Sequence, residues 1–416
     1  MDIMIMVASY PPTINSAARL YSELSESLRD MGHNVTVITT QPGEDSKVDK
    51  EHEYYKSGSP KKNNGLNILR VSPLSFLSKI PGGKPLRFFF SCLLFTFRGL
   101  FTKCPDVILI YSPPLYMGIS AHIISYLKKT RFVFNLQDIH PKVLFDTGAV
   151  KNRFLIRILS KMEKICYRNA HSFIVYSPGN RDYLLKQGVK QKIFTIPNWF
   201  DTKLISPSYQ MNPFLNEKGI RNRFIVSYIG SMGTPQGLEI IINAANLLTM
   251  YDDIKFILAG EGPSKPILKS MINGMKLNNI VLLPMMLNER YAQFINAANV
   301  SLITLSSGVP IQTVPGKLSE IMACGKPLIA VVKEQGDAAA IIKQAECGFC
   351  VEPTNAKELS QIVLKLYRGK KLRKEIGKKA MIFAKQNFSR TICTKKYDEV
   401  LKNAGGNSDF YYDEAS

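Results

Sequence analysis

The chain has 416 residues, 45% of them hydrophobic and 21% charged, and this composition excludes a disordered protein and a bundle of membrane-spanning helices. Its length predicts two domains, each with a core of its own. The formal net charge of +21 predicts attraction to an anionic partner, which could be nucleic acid, acidic lipid headgroups or a phosphate-bearing substrate.

The amino terminus and the cysteines both indicate a cytoplasmic protein. Met1 and Asp2 lead directly into an apolar run without the basic flank and cleavage site of a signal peptide, so export is not expected. Seven cysteines without a repeated spacing favour a reducing compartment. Cys347 and Cys350 form a C-x-x-C in a run typical of a strand. Buried thiols are preferred there over a redox or metal pair, because no second Cys/His pair has zinc spacing.

Short β-rich apolar runs alternate with helical patterns along the chain, which predicts the α/β class with parallel sheets covered by helices on both faces. The expected strands of the first half are 3–8, 35–40, 68–71, 107–111, 132–136, 173–175 and 193–196, with helices such as 17–31 and 152–169 between them. The pattern restarts with strands at 225–229, 254–259, 281–283, 300–303 and 328–332. A second doubly wound domain is therefore expected.

The domain boundary is expected where prolines and polar residues interrupt the periodicity, between residues 202 and 222. We expect a first domain at 1–205 and a second domain at 206–385. A terminal helix at 386–404 is expected to cross back to the first domain, and 405–416 to form a disordered tail. Because ligands of parallel α/β sheets bind at the carboxyl ends of the strands, a cleft between the two facing domains is the predicted site.

One segment, 85–101, is dense in Phe and Leu but is interrupted by Arg87 and Arg98 and is shorter than the about 20 apolar residues that span a bilayer. Basic residues lie near it and on the helix predicted around 152–169: Lys79, Lys84, Lys103, Lys128, Lys129, Arg131, Lys151, Arg153, Arg157, Lys161, Lys164 and Arg168. The preferred interpretation is an interfacial helix that holds the first domain on the anionic inner leaflet. The alternative is a core helix whose charges face solvent.

The segment 315–327, PGKLSEIMACGKP, has the features of a phosphate-binding helix start. Pro315 suits a first helical position, and Gly316 allows the backbone to approach a ligand closely. Helix-start amides together with the ammonium of Lys317 would bind a diphosphate. Glu320 lies on the following turn, where its carboxylate can accept hydrogen bonds from ribose hydroxyls.

These residues belong to a series of motifs whose order and spacing resemble the family 4 glycosyltransferases of the GT-B fold. The resemblance is strongest to the bacterial branch that builds O-antigen, capsule and colanic-acid-type polysaccharides, including L-fucosamine-type transferases. It spans most of the chain. The other motifs are SYPP at 9–12, RDMGHNVTV at 29–37, SPP at 112–114, LQDIHP at 136–141, IPNWFD at 196–201, GSMG at 230–233, QGL at 236–238 and AGEGP at 259–263.

The resemblance implies that 1–205 is an acceptor-binding domain and that 206–385 is a nucleotide-sugar-binding domain. It also implies a role for each matching position on the donor side. The implied donor-binding residues are Gly230, Ser231, Met232, Gly233, Gln236 and Gly237 near the diphosphate, Gly260, Glu261, Gly262 and Pro263 beside the base, and Pro315, Gly316, Lys317, Leu318 and Glu320. Glu320 matches the second glutamate of the E-x7-E pattern, which binds ribose. The family transfers sugar with retention and needs no metal or other cofactor, so basic residues and helix amides stabilise the developing charge.

The sequence departs from the family pattern at several of these positions. Gln312 stands where the first glutamate of E-x7-E would contact the donor sugar, which puts the identity of that sugar in doubt. Ser231 and Gln236 stand where many relatives have an arginine and a lysine, so Lys317 is left as the cation near the diphosphate.

On the acceptor side, Asn15 and Ser16 replace paired glycines, Gln137 replaces a histidine, and His140 could line the cleft. Asp138 is the acidic residue expected beside the reaction centre, and the alternative is that it caps the start of a helix. The expected catalytic residues are therefore Asp138, Lys317 and Gln312.

The function that the resemblance implies is a retaining, metal-independent transfer of a hexosyl or (deoxy)hexosaminyl group in cell-surface polysaccharide biosynthesis. The expected donor is a nucleotide diphosphate sugar, UDP-linked, and the expected acceptor is a polyprenyl-diphosphate-linked glycan. The protein would be cytoplasmic and peripheral on the inner face of the cytoplasmic membrane. Nucleic acid is not an expected partner, because the aromatic residues cluster with leucines and do not interleave with cations.

Two other functions are compatible with the sequence. A non-catalytic nucleotide-sugar-binding subunit of a glycosyltransferase complex would explain Gln312, Ser231 and Gln236 as signs of lost chemistry. A sugar-nucleotide epimerase of the same fold would have no use for a helix with the composition of 85–101.

Overall fold

A computed structural model describes residues 1–42, 65–72, 74, 77, 80, 83–139, 152–202, 204–208, 223–286 and 289–406. The chain divides into two compact units, one formed by Met1–Pro197 with the chain from Cys393 onward and the other by Asn198–Ile392. The division falls earlier than the boundary expected after residue 205. The reason is that the Phe200 amide donates to the carbonyl of Phe388 (3.0 Å) and Ile205 packs into the core of the second unit.

The first unit contains a seven-stranded parallel sheet with the order β3-β2-β1-β4-β5-β6-β7. Its strands are β1 Asp2–Met6, β2 Asn34–Thr40, β3 Leu66–Val71, β4 Val107–Ser112, β5 Arg131–Leu136, β6 Ser172–Val175 and β7 Lys192–Thr195. Its helices are α1 Ser16–Asp30, α2 Gly83–Leu100, α3 Tyr116–Lys128, α4 Arg153–Asn169 and α5 Pro178–Lys186. The central strands are buried on both faces, which is why they are nearly continuous apolar runs.

The second unit contains a six-stranded parallel sheet with the order β10-β9-β8-β11-β12-β13. Its strands are β8 Phe224–Ile229, β9 Ile254–Ala259, β10 Ile280–Leu283, β11 Val300–Thr304, β12 Leu328–Val331 and β13 Gly348–Val351. Its helices are α6 Glu239–Asn246, α7 Lys265–Gly274, α8 Glu289–Ala297, α9 Lys317–Ala323, α10 Asp337–Ala345, α11 Ala356–Arg368 and α12 Lys370–Asn387. Both sheets reverse their strand order beside the first strand of the unit, so the predicted pair of doubly wound α/β domains is confirmed.

The last helix, α13 (Arg390–Ala404), belongs to the first unit from Cys393 onward, and buried polar contacts hold it there. Asp398 is buried, with His33 Nε2 2.7 Å from one carboxylate oxygen and Lys402 Nζ 2.8 Å from the other. The preceding residue, Tyr397, accepts a hydrogen bond at 2.6 Å from the side-chain amide of Asn135 on β5. A buried carboxylate with two cationic or polar partners therefore fixes α13 to the turn before β2. The tail 407–416 lies outside the described residues.

We predict that Asp398→Ala destabilises the first unit, because it leaves His33 and Lys402 without the buried charge that they contact. The free energy of unfolding should fall by about 3 kcal/mol. Glu399→Ala is the matched control, since Glu399 is the next residue of the same helix and is partly exposed. Differential scanning calorimetry of the two variants checks this, and equal transition temperatures would contradict it.

Candidate functional site

Two loops of the second unit lie against each other at the carboxyl ends of β8 and β9. The Met232 amide donates to the Glu261 carbonyl at 2.9 Å. A Cβ on Gly260 would lie 1.8 Å from the Gly230 carbonyl oxygen, and a Cβ on Gly262 would lie 2.3 Å from that of Met232. The loops therefore touch backbone to backbone, and the two glycines of the second loop are required because any side chain there would collide with main chain.

Lys317 extends over the first of these loops. Its ammonium nitrogen lies only 1.7 Å from the position that a Cβ on Gly230 would take, and 5.8 Å from the centre of the Tyr228 ring. The Tyr228 hydroxyl donates to the Ser231 carbonyl at 2.7 Å, which fixes the ring under the ammonium. Burial lowers the pKa of Lys317 to about 8, although the negative charge of Glu320 opposes this shift. The result is a poorly hydrated cation that a bound anion would stabilise.

Glu320 lies one turn beyond Lys317 on α9 and is buried. The hydroxyl of Tyr291, on α8, donates to its carboxylate oxygen Oε2. Sequence reasoning missed Tyr291, because the contact depends on how two helices pack and no local spacing predicts it. Helix α9 has seven residues, and the full charges described on it are those of Lys317 and Glu320.

The loop after β8 is closed by one of its own side chains. The Gln236 side-chain oxygen accepts a hydrogen bond from the Gly233 amide at 3.1 Å. Gly237 adopts the left-handed conformation with φ +56°, and the Ser306 amide donates to the Pro235 carbonyl at 2.8 Å. The carboxamide of Gln236 thus shapes the loop, and the hydrogen bond to Pro235 ties the segment after β11 to it.

The loop after β9 is fixed by Lys265 at the start of α7. Its ammonium pairs with Glu261 at 2.7 Å and donates to the carbonyls of Gly260 (2.9 Å) and Leu283 (3.0 Å). Pro263 follows in the same loop. Lys265 therefore shapes the expected base-side wall from the helix that follows it.

Gln312 lies, partly buried, in the segment between β11 and α9. That segment is anchored where the Asp337 amide donates to the Ile311 carbonyl at 2.9 Å. It ends at the start of α9, where the Leu318 amide donates to the Pro315 carbonyl at 3.0 Å and Gly316 is the N-terminal cap residue.

The expected acceptor-side residues occupy two places in the first unit. Asn15 caps α1, because its side-chain oxygen accepts a hydrogen bond from the Ala18 amide at 2.8 Å. Ser16 is the first residue of that helix. Asn15, which stands where the family has a glycine, therefore has a structural role of its own as the helix cap.

The other acceptor-side residues follow β5. Gln137 is buried and donates to Asn135 at 3.0 Å. Asp138, the next residue, is exposed, and its charge adds to the burial that raises the pKa of Tyr111. His140 lies outside the described residues. The structure thus leaves Asp138 as an exposed carboxylate directly after the carboxyl end of a central strand.

All seven cysteines are free thiols, and burial raises the pKa of Cys347 to about 12 and that of Cys350 to about 11. Within the described ranges, no three or more His, Cys, Asp or Glu side chains are grouped so that they could hold a metal ion.

The first unit carries an exposed apolar surface on α2, which we name the α2 apolar face. Its side chains are spaced three or four residues apart, lie on one side of the helix and are 41–63% exposed: Leu86, Phe89, Phe90, Leu93 and Phe97. The opposite side is buried at Phe95 and packs closely on α3, where a Cβ on Gly99 would lie 2.4 Å from Ile124 Cδ1. Among the described helices, none has the length and apolar character needed to cross a bilayer.

A row of cations lies on α4, which packs on the other side of α3 where a Cβ on Gly118 would lie 2.6 Å from Cys166 Sγ. The members of this α4 basic face are exposed and recur every three or four residues: Arg153, Arg157, Lys161, Lys164 and Arg168. The α2 apolar face and the α4 basic face thus lie on two helices that both pack on α3.

Comparison with known proteins assigns both halves of the chain. Residues 17–199 match the family described as glycosyl transferase 4-like domain, and residues 213–382 match glycosyl transferases group 1. The chain is 22% identical over 371 residues to the putative colanic acid biosynthesis glycosyl transferase WcaI of Escherichia coli, covering 86% of this chain and 90% of WcaI.

Two further similarities are informative. An N,N'-diacetylbacillosaminyl-diphospho-undecaprenol alpha-1,3-N-acetylgalactosaminyltransferase of Campylobacter jejuni is 25% identical over 269 residues, or 62% of this chain and 68% of that enzyme. The crystal structure of Anabaena HepE in complex with UDP superposes with a TM-score of 0.73 at 18% identity, covering 97% of this chain and 100% of HepE. The expected GT-B fold is confirmed by this likeness.

We predict that the affinity of this site for sulfate, an anion whose charge is constant in this range, does not change well below pH 8 and falls above it. The lowered pKa leaves Lys317 charged below about pH 8 and increasingly neutral above, so each further pH unit should weaken binding by up to about tenfold. Isothermal titration calorimetry between pH 7 and 9.5 measures this.

Lys317→Met should bind sulfate weakly and without this pH dependence, whereas Lys374→Met, which changes an exposed lysine of α12, should behave as the parent protein does. A pH-independent affinity of the parent protein would contradict the prediction.

Proposed function

Because this chain is a GT-B glycosyltransferase with a glycosyl transferase 4-like domain followed by a group 1 domain, we propose that it transfers a hexosyl or (deoxy)hexosaminyl group. The proposed donor is a UDP-sugar, the proposed acceptor a polyprenyl-diphosphate-linked glycan, and the proposed pathway cell-surface polysaccharide biosynthesis. The observation that carries this proposal is the placement of Lys317 over Gly230, with Glu320 one turn further along the same helix.

The donor would be held by two opposite charges on one helix face. Residues three apart on a helix lie side by side, so Lys317 and Glu320 can contact neighbouring parts of one ligand. The ammonium of Lys317 would bind the diphosphate, and the Glu320 carboxylate would accept hydrogen bonds from the ribose hydroxyls. The loop at 260–263 would lie beside the base. The names of relatives support this, since HepE was crystallised with UDP.

The transfer would be retaining and metal-independent. Lys317 would stabilise the charge that develops on the departing UDP, which is the task that a divalent cation performs in other transferases. Gln312 would contact the donor sugar with a neutral amide where related enzymes have a carboxylate. Asp138, exposed after β5, would contact the acceptor hydroxyl or the donor. Asn15, Ser16 and Gln137 would shape the acceptor side.

The acceptor assignment is supported by the printed names of two relatives and by a surface of this chain. WcaI is named for colanic acid biosynthesis, and the Campylobacter enzyme is named for an undecaprenol-linked acceptor. The α2 apolar face and the α4 basic face together have the composition of a surface that binds an anionic membrane. A lipid-linked acceptor would be presented at such a membrane.

We predict that Glu320→Ala weakens UDP binding about 100-fold, because a buried carboxylate that accepts hydrogen bonds from two hydroxyls would be lost. Isothermal titration calorimetry measures the change. Glu375→Ala is the matched control, since Glu375 is an exposed glutamate of the same unit, on α12. Unchanged UDP affinity in Glu320→Ala would refute the donor site.

Transfer is tested with the purified chain, radiolabelled UDP-N-acetylglucosamine or UDP-N-acetylgalactosamine, and membranes that contain polyprenyl-diphosphate-linked glycans. Label should enter the lipid fraction at the same rate with and without EDTA, and NMR of the product should show a retained anomeric configuration. Binding of UDP without transfer under any of these conditions would favour the non-catalytic subunit.

We propose further that the α2 apolar face and the α4 basic face hold the first unit on the inner face of the cytoplasmic membrane. Large apolar side chains would enter the acyl boundary while cations meet anionic headgroups, and the two contributions add. The side chains of the α2 apolar face are exposed, whereas Phe95 on the same helix is buried. Helix α2 therefore carries more apolar residues than the core of the first unit buries.

We predict that Phe89→Ser/Phe97→Ser lowers the partition coefficient on vesicles of phosphatidylcholine and phosphatidylglycerol at least tenfold, as roughly expected for two aromatic side chains that no longer leave water. Vesicle co-sedimentation measures it. Met250→Ser is the control, because Met250 is 82% exposed in the second unit. Equal losses in both variants, or none in the double variant, would refute the membrane face.

A further inference from the structure

The contact between Tyr291 and Glu320 joins two helices at the proposed donor site. The Tyr291 hydroxyl donates to Oε2 of Glu320, and Glu320 is 7% exposed. We propose that Tyr291 is a positioning residue that orients the Glu320 carboxylate toward the ribose diol of the donor. This inference rests on the proposed function, because it assigns a task to a residue beside the proposed ribose site.

Tyr291 is delivered by a helix that is fixed in place. Phe294 and Ile295 of α8 are buried in the core of the second unit, so the helix cannot slide without exposing them. At its carboxyl end, the side-chain amide of Asn296 donates to the Ser206 carbonyl at 2.9 Å, and Lys326 Nζ donates to the backbone carbonyl of Asn296 at 2.7 Å. The hydroxyl of Tyr291 is therefore presented from a rigid element.

The same two helices are joined a second time, near the end of α9. The Asn296 side-chain amide lies 3.7 Å from Cys324 Sγ, four residues beyond Glu320. The Tyr291 contact and the Asn296 contact thus fasten α8 to α9 at two levels. An unconstrained glutamate has three rotatable side-chain bonds, and fixing them before the ligand arrives lowers the entropic cost of binding.

The chemistry of a carboxylate allows Tyr291 and a ribose to be bound together. An ionised carboxylate has about four lone-pair sites, and one hydrogen bond from Tyr291 uses one of them. The hydroxyl of Tyr291 also supplies a donor to a charge that has been removed from water, which a buried carboxylate requires. Tyr291 therefore assists the ribose contact and does not compete with it.

The test compares UDP with 2′,3′-dideoxy-UDP in Tyr291→Phe, which removes only the hydroxyl. In the parent protein UDP should bind more tightly than the dideoxy analogue, because only UDP offers the diol. In Tyr291→Phe we expect UDP affinity to fall about tenfold and affinity for the dideoxy analogue to stay within a factor of two, so the ratio collapses. When Tyr291→Phe is added to Glu320→Gln, it should lower UDP affinity much less than it does in the parent protein.

Tyr251→Phe is the matched control, because it makes the same chemical change on a tyrosine elsewhere in the second unit, and it should leave the ratio unchanged. If Tyr291→Phe lowers the affinity for both nucleotides equally, Tyr291 has a merely structural role. If it raises UDP affinity, the Tyr291 hydroxyl competes with the ribose for Glu320. Either result overturns the inference while Glu320→Ala still tests the donor site on its own. If UDP binds equally to the parent protein and Glu320→Ala, the proposed donor site fails, and the inference fails with it.

Discussion

The second unit depends on the close approach of the loops that follow β8 and β9. A carbonyl of the first loop fills the space that a side chain on Gly260 would need, and another does so at Gly262. Main chain therefore forms this end of the sheet. Because Gly230 also lacks a side chain, Lys317 can extend over it from α9. The glycines are thus required twice, first to allow the loops to touch and then to admit the ammonium of Lys317 over Gly230.

The positive charges of this protein act in two physical settings. Lys317 lies against Tyr228 and Gly230 and has lost much of its hydration, which is why its pKa is lowered to about 8. A bound anion stabilises such a buried cation more than it stabilises a hydrated cation, because the anion replaces the stabilisation that water no longer provides. The exposed cations of the α4 basic face keep their hydration and act over a distance that salt limits to about 10 Å. The first arrangement suits a specific phosphate, and the second suits an extended anionic surface.

The sequence predicts the architecture well because buried parallel strands need continuous apolar runs, and the expected strand 254–259 coincides with β9. The domain boundary was harder to predict from the sequence. Ile205 belongs to the second unit because it packs in that unit's core, and the positions of the prolines do not indicate this packing. Tyr291 was missed for the same reason, because its partner lies on another helix. Asn15 was different: an asparagine just before a helix is a preferred cap, so its structural role could have been predicted from local sequence alone.

Under the proposed function, the two surfaces of the first unit solve a single problem, that of reaching a substrate held in a membrane. An apolar stripe alone would bind other apolar surfaces as readily as lipid, and in water it favours association. A cationic row alone would bind any polyanion. The helices that carry the α2 apolar face and the α4 basic face both pack on α3. Together the two faces would select a partner that has an apolar interior and an anionic surface, and an acidic bilayer has both. The diphosphate of a polyprenyl-linked glycan lies at the depth where those two properties meet.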